Sequence, residues 1–169
     1  MTTALYDATI PNFVRAMENL SKILDKGRAY ADENGLDHAE LLEARLIEDM
    51  GPLTMQIQRL SDTAKGVAVR IGEAENAVFA DEETSFDDLQ QRLRKTIDFV
   101  KAVPKDAFAG REDAEVTVKT GQGDLVMNGR NFIYGFAVPN FYFHVTTAYD
   151  ILRMKGVPLE KMDYLGAAR

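Results

Sequence analysis

The sequence contains no cysteine, only two histidines and no apolar run long enough to cross a bilayer. Without cysteine, disulfides, thiolate metal sites and a cysteine nucleophile are excluded, and the reducing cytosol is the expected compartment. A membrane-spanning helix needs about 20 apolar residues, and the opening residues lack the basic region and apolar stretch of a secretory signal. These absences predict a cytoplasmic chain that is neither secreted nor inserted in a membrane.

Positive charge is also scarce, with 20 Lys and Arg residues against 27 Asp and Glu residues and a net charge of -7. A nucleic-acid backbone would be repelled over most of such a surface, so nucleic acid is not an expected partner. A Gly-rich phosphate loop, a nucleophile elbow and a paired-histidine helix motif are missing as well. The ordinary globular composition of the 169 residues predicts one domain, 1–169, around one core.

The apolar pattern at the start of the chain predicts two helices joined by a short turn. Alternating spacings of four and three place six residues on one helical stripe: Tyr6, Ile10, Phe13, Met17, Leu20 and Leu24. Gly35 is expected to end this helix in the left-handed conformation, and Asp37 with Glu40 to open the next helix as a capping box. So short a connection predicts an antiparallel pair.

The second predicted helix continues to Ile71 and is interrupted by Gly51 and Pro52, so we expect a kink or break near Asp49. Its apolar stripe contains Leu42, Leu46, Met50, Leu53, Ile57, Leu60, Ala64, Val67 and Ile71. The residues that follow, 73–83, have the character of a crossing connection. Nothing in this segment repeats another part of the chain.

The second half of the chain predicts a third helix, a hairpin and a last helix. Ser85 and Asp88 cap the third helix, and an acidic run around them is explained as helix-start charge: Asp81, Glu82, Glu83, Asp87 and Asp88. Residues 115–127 alternate with a period of two around two glycines, which predicts a small β-hairpin. The last helix runs to Lys155 with Gly156 as its C-cap, and Pro139 inside it predicts another kink.

This order of elements predicts an all-α, antiparallel four-helix bundle with a small β-hairpin inserted before the last helix. The last helix is unusually rich in aromatic residues, which cover more than one of its faces: Phe132, Tyr134, Phe136, Phe141, Tyr142, Phe143 and Tyr149. One bundle interface cannot bury all of them, so the hairpin or a second subunit must cover the remainder. We therefore expect a homodimer.

Polar residues at core positions mark the candidate site. His144 lies on the inward stripe of the last helix, and Asp49 and Gln56 lie at the core edge of helix two, with Arg45 one turn before Asp49. A polar group in such a position needs a partner. The expected partner of His144 is Asp49, followed by Gln56 or Asn140. These residues could orient a small ligand or a divalent metal, or satisfy one another structurally, and a single inward histidine favours the structural interpretation.

Several phrases of the chain resemble a bacterial family known only as a domain of unknown function, grouped with the DinB-like (DinB/YfiT) four-helix bundles. The resemblance covers nearly the whole chain and is carried by LYDATIPNFVRAMENLSKILDKG, ARLIEDMGPLTMQIQRLSDTAKG and GFAVPNFYFHVTTAYDILRMKGVPLEKMDYLG. It implies an up-down-down-up bundle, a tendency to dimerise and a pocket at one end. Metal-binding relatives use three histidines, and some are thiol-dependent transferases or hydrolases; only His144 is similar to one of those ligands, with Asp49 in place of a second.

Three hypotheses about function follow. The first is a noncatalytic or ligand-binding dimeric bundle without a cofactor, whose polar pocket binds a small molecule or is vestigial. The second is a divalent-metal-dependent enzyme, a thiol-dependent transferase or hydrolase, with zinc or nickel held by His144 and Asp49. The third is a structural module that interacts through the last helix. Two protein ligands are fewer than the three of a usual catalytic zinc site, which favours the first hypothesis.

Overall fold

The computed structural model describes residues 3–166, which are mostly helical with one two-stranded antiparallel sheet. The elements in chain order are α1 (Ala4–Ala8), α2 (Ile10–Asn34), α3 (Ala39–Leu42), α4 (Leu53–Arg70), α5 (Phe86–Lys101), a 3₁₀ turn (Lys105–Phe108), β1 (Glu115–Thr120), β2 (Gly123–Asn128), α6 (Gly129–Asn131), a π-helical segment (Phe132–Ala137), α7 (Val138–Met154) and α8 (Lys161–Leu165). Within this range no helix has the length and hydrophobicity to cross a membrane.

The first predicted helix is present, with a break at Thr9 between α1 and α2. The Thr9 hydroxyl donates to the carbonyl of Leu5 at 2.6 Å, so this side chain completes the last turn of α1. At the other end Gly35 has a φ of 62°, and the N–H of Leu36 donates to the carbonyl of Ala31 at 2.9 Å. The predicted glycine C-cap is therefore confirmed, and the residues of the predicted stripe are buried apart from half-buried Tyr6.

The break predicted near Asp49 is confirmed, but it is longer than expected, because residues 43–52 form a loop that separates α3 from α4. Pro52 is the N-cap of α4, because proline has no N–H to continue a helix from the preceding turn. Arg45 Nη1 donates to the carbonyls of Glu48 and Met50, so the loop satisfies these acceptors without helical bonds. Asp49 therefore lies in an exposed loop instead of on a helix face.

The capping and hairpin predictions for the second half of the chain are confirmed. The Ser85 hydroxyl accepts from the N–H of Asp88, and the Asp88 carboxylate accepts from the N–H of Ser85. Residues 73–83 form an irregular connection between α4 and α5. In the hairpin, Val116 is opposite Met127 and only two residues connect the strands.

The irregularity predicted at Pro139 takes the form of the π-helical segment, which ends two residues before it. Proline cannot donate to the carbonyl four residues earlier, so the ordinary α-helical pattern cannot be continuous through this point. The wider turn precedes the proline, and Pro139 then lies in the first turn of α7, where a missing N–H has no cost. Gly156, with a φ of 96°, ends the helix region as predicted.

The contacts between the four longest described helices define their directions. Near their N-terminal halves α2 and α7 meet where the Phe13 and Phe141 rings stack at 3.9 Å, and further along both helices Gly27 lies against Leu152. These two helices are therefore parallel.

Helix α4 is antiparallel to α7 and parallel to α5. The first direction follows from two hydrogen bonds, Gln56 with His144 and Thr63 with Asn140, whose residue numbers rise along α4 and fall along α7. The second follows from two contacts. Within the helices the Ser61 and Thr96 hydroxyls are 2.7 Å apart, and the segments just after the C-terminal ends of α4 and α5 also meet, so both helices run the same way. The sequence of directions is up, down, down, up.

Arg92 of α5 joins the connection between α4 and α5 to both helices. Its side chain is 2% exposed. Nε donates to the Ser61 hydroxyl, Nη1 donates to Asp81 and Glu83 at 2.9 Å each, and Nη2 donates to Asp62 at 3.0 Å. Burial alone would lower the pKa of the guanidinium, but the hydrogen bonds that it donates to Glu83 and Asp81, with the charges of the nearby carboxylates, raise that pKa. Asp81 and Glu83 are thus partners of a buried cation, which corrects their interpretation as helix-start charge.

Replacing Arg92 by methionine should destabilise the fold by about 2–3 kcal/mol, because three carboxylates lose their common partner. The expected loss is below that of a fully buried ion pair, since Asp62 and Asp81 are about 40% exposed and can rehydrate. Urea unfolding measures the difference. Arg59→Met is the matched control: Arg59 is near the same two aspartates, at 3.6 and 3.9 Å, but is half exposed, so its loss should be less than about 1 kcal/mol. Equal losses in the two variants would contradict this role of Arg92.

Candidate functional site

The candidate site lies along the interface of α4 and α7, where two hydrogen bonds connect polar side chains. Gln56 Oε1 and His144 Nδ1 are 2.7 Å apart, and Asn140 Nδ2 donates to the Thr63 hydroxyl at 2.7 Å. Asn140 and His144 are one turn apart on α7, and Gln56 and Thr63 are two turns apart on α4. Arg59 occupies the same face of α4 between the two connections.

The protonated nitrogen of His144 follows from the hydrogen bonds of Gln56. The Gln56 amide nitrogen donates to the carbonyl of Gly51 at 2.8 Å, so Oε1 is the atom that faces the imidazole. An amide oxygen only accepts, and Nδ1 of the ring must therefore carry the proton. The other ring nitrogen, Nε2, keeps a free lone pair and has no hydrogen-bond partner in the range 3–166.

His144 is held in its neutral form. Burial lowers the pKa of its imidazole to about 4, and the positive charge of nearby Arg59 contributes in the same direction. The ring is half-buried and lies edge-to-face with the Phe143 ring, with the two ring centroids 5.1 Å apart. A neutral imidazole with a free Nε2 can accept a hydrogen bond from a ligand or bind a metal ion as one ligand.

The structure separates the predicted site residues into two groups. Gln56 and not Asp49 is the hydrogen-bond partner of His144, because the loop 43–52 takes Asp49 off the helix that carries Gln56. Arg45 binds backbone carbonyls of that loop and forms no ion pair with Asp49 in the described structure. Among residues 3–166 no group of three or more His, Cys, Asp or Glu side chains could hold a metal ion.

A cavity of about 250 Å³ adjoins the Thr63–Asn140 hydrogen bond, between α4, β1 and the π-helical segment. Its lining combines cationic, aromatic and polar side chains: Arg59, Asp62, Thr63, Arg70, Val118, Lys119, Phe132, Phe136 and Asn140. Of these residues, the sequence-based prediction contained only Asn140. We call this space the hairpin cavity.

The charges of the hairpin cavity do not balance. Arg59, Arg70 and Lys119 face one carboxylate, Asp62, which already accepts a hydrogen bond from Arg92. Arg70 donates to the carbonyl of Thr117 at 3.2 Å, and burial lowers the pKa of its guanidinium. Across residues 3–166 neither Arg70 nor Lys119 forms an ion pair with a carboxylate. This protein of net charge -7 therefore contains a cavity with an excess of positive charge.

One signal for the missed residues was present in the sequence. Alternating steps of three and four residues along α4 lead from Gln56 to Arg59, Thr63, Gly66 and Arg70. This stripe contains no apolar side chain. That stripe lies beside the buried apolar stripe of the same helix, so it had to face a polar boundary. The contribution of Lys119 depends on where the hairpin packs, which no local pattern reveals.

Comparison with known proteins identifies what the chain is similar to. A family model described as a domain of unknown function, DUF1993, matches residues 5–165. The crystal structure of a DinB family member protein from Shewanella denitrificans superimposes with a TM-score of 0.89 at 36% sequence identity, over 98% of this chain and 93% of that chain. No curated protein matches.

The neutral state of His144 should make the fold less stable as the pH falls from about 6.5 to about 4. The unfolded chain binds a proton in this range and the folded imidazole does not, so protonation favours unfolding. His144→Gln removes this titration while keeping an amide donor for Gln56. Free energies of unfolding at about pH 7 and about pH 5 should therefore differ more in the wild type than in the variant. An imidazole of His144 that titrates near its ordinary pKa, observed by NMR, would refute the prediction.

Proposed function

We propose that this chain, which belongs to the DUF1993 family of DinB-like domains of unknown function, is a dimeric four-helix bundle with a binding site for a small organic anion. The up-down-down-up directions of α2, α4, α5 and α7 support the bundle. The observation that carries the binding function is the hairpin cavity, in which three cations face one carboxylate that is already engaged.

The lining of the cavity indicates the chemistry of the ligand. A carboxylate or phosphate group would neutralise Arg70 and Lys119, which lack acidic partners in the described range. The Phe132 and Phe136 rings, stacked with centroids 6.1 Å apart, offer an apolar wall for the remainder of the molecule. A volume of about 250 Å³ restricts the ligand to a small molecule.

The polar row on α4 and α7 extends the proposed site. Asn140 lines the cavity, and His144 follows one turn later. Its Nδ1 is hydrogen-bonded to Gln56, and its Nε2 is free within residues 3–166. A hydroxyl or amine of the ligand that reached this far would donate to Nε2. Arg45 and Asp49 are outside the proposed site, because they lie in the loop 43–52, from which Gln56 binds the Gly51 carbonyl.

Binding of benzoate, an anion with one ring, tests the proposed site. In an NMR titration benzoate should shift the signals of Asn140 and Lys119, whereas benzyl alcohol, which has no charge, should bind more weakly. Lys119→Met should lose about 1 kcal/mol of binding free energy, roughly fivefold in Kd. Lys22→Met, which removes an exposed cation of α2, is the matched control and should change nothing. Equal binding of both probes, or shifts confined to other surfaces, would count against the anion site.

The aromatic residues left uncovered support a homodimer. Phe143 of α7 and Tyr134 of the π-helical segment are 53% and 46% exposed, although most other aromatic residues of this region are buried or half-buried. Exposed aromatic side chains on one element are typical of an interface core. A second copy of the chain is the expected partner, since two-fold symmetric dimers are the commonest oligomers. Phe143 is next to His144, so the interface would border the polar row.

Light scattering at micromolar concentration should give the mass of a dimer for the wild type. Phe143→Arg should shift the equilibrium to the monomer, because a charge would be buried in the interface. Val78→Arg is the control: Val78 is the most exposed large apolar residue described, lies in the connection between α4 and α5, and should leave the dimer intact. A wild type that scatters as a monomer would rule out this assembly.

A further inference from the structure

Lys65 of α4 is a lysine without a charged or hydrogen-bonded partner in an almost buried position. The residue is 8% exposed, and in the described structure its amine forms neither an ion pair nor a hydrogen bond. Nζ instead lies over the ring of Phe79, 4.0 Å from the centroid. Lysine is among the residues least often buried without a partner, so this placement calls for an explanation.

Lys65 lines a second cavity, of about 260 Å³, which we call the lysine cavity. It is lined by Asp62, Lys65, Gly66, Val69, Arg70 and Asn76. Gly66 makes room for Arg70, because a Cβ at this position would be 2.5 Å from the Arg70 guanidinium. The cavity thus brings together an amine and a guanidinium, and the carboxylate that lines it is hydrogen-bonded to Arg92.

The surroundings of Lys65 lower the pKa of its amine and so raise the share of the neutral, nucleophilic form. Burial is the largest effect and lowers the pKa of the amine. The charges around it oppose one another: Asp62 and Asp81 favour the ammonium ion, while Arg92 and Lys95 disfavour it. A desolvated lysine near other cations is the arrangement that activates lysine amines toward carbonyl compounds.

We propose that Lys65 forms an imine with a small 2-oxo acid, whose carboxylate binds Arg70. The neutral amine nitrogen attacks the carbonyl carbon and one of its two protons passes to the carbonyl oxygen, which gives a carbinolamine. The C–O bond then breaks, the nitrogen loses its one remaining proton, and this proton leaves with the hydroxyl group as one water molecule. The step is a condensation without oxidation or reduction, so it requires no further reactant. It uses a cavity distinct from the hairpin cavity, although Arg70 lines both, and it does not depend on anion binding there.

Reductive trapping with glyoxylate and cyanoborohydride tests the proposal on the intact protein. The reductant converts an imine into a stable secondary amine, which peptide mass mapping locates. Lys95 is the internal control, because its amine lies over the same Phe79 ring, at 5.1 Å, but the residue is exposed. We expect several-fold more label on Lys65 than on Lys95 near neutral pH, and no label at position 65 in Lys65→Arg. Equal labelling of the two lysines, or an unlabelled Lys65, would overturn the proposal.

A second comparison isolates the role of Arg70. In Arg70→Met, labelling of Lys65 by glyoxylate should fall several-fold, whereas labelling by acetaldehyde, which has no carboxylate, should be unchanged. An equal fall with both probes would overturn the assignment of the carboxylate to Arg70. Circular dichroism of each variant verifies that it is folded. Benzoate binding at the hairpin cavity, measured in Lys65→Arg, should equal that of the wild type, so the two proposals fail independently.

Discussion

A buried guanidinium needs carboxylate partners, and the position of Arg92 determines much of the charge distribution in this protein. Removing a cation from water has a large cost unless opposite charges and hydrogen bonds compensate it. Arg92 meets this requirement with Asp62, Asp81 and Glu83. By engaging three carboxylates it fixes the connection 73–83 against α4 and α5, and within residues 3–166 Lys65 and Arg70 of α4 have no ion pair.

The positive charge of both cavities depends on these contacts of Arg92. Phe79 belongs to the connection that Arg92 fixes. Its aromatic ring, and not a carboxylate, is the group that contacts the Lys65 amine. Asp62 lines both cavities, but its carboxylate is already hydrogen-bonded to Arg92. Arg70 is therefore left as a partly desolvated cation between two concave surfaces. An acidic protein thus contains a local region suited to anions, which a net charge of -7 does not reveal.

The interface of α4 with α7 adds a second, uncharged set of polar groups. The π-helical segment leads into α7, which has Pro139 in its first turn, and Asn140 and His144 then follow on the face toward α4. Their partners Thr63 and Gln56 satisfy them, as buried polar groups require. The same contacts leave His144 Nε2 unused within the described chain. A row of neutral hydrogen-bonding groups therefore leads away from a cationic cavity, an arrangement that fits a ligand with an anionic and a polar end.

The sequence by itself determined the local structure and the family. Gly35, the Ser85 and Asp88 capping box, the hairpin and Gly156 were all predictable, because each depends on the conformational preferences of a few neighbouring residues. The apolar stripe of α2 was equally clear. The break near Asp49 was predictable from Pro52, but its length was not, because the pattern of Leu46 and Met50 indicated helix up to the break.

Only the tertiary structure decided which polar groups meet. Gln56 and His144 are 88 residues apart. Gln56 and not Asp49 became the partner of His144 because the loop 43–52 ends, and α4 begins, between these two residues. The hairpin cavity required Lys119 of β1 and Arg70 of α4 to line one space, and Arg92 binds Asp62 of α4 as well as Asp81 of the irregular connection. Spacing along a chain fixes the face of a helix on which a residue lies. The partner of that face depends on packing among distant segments, which is a property of the whole fold.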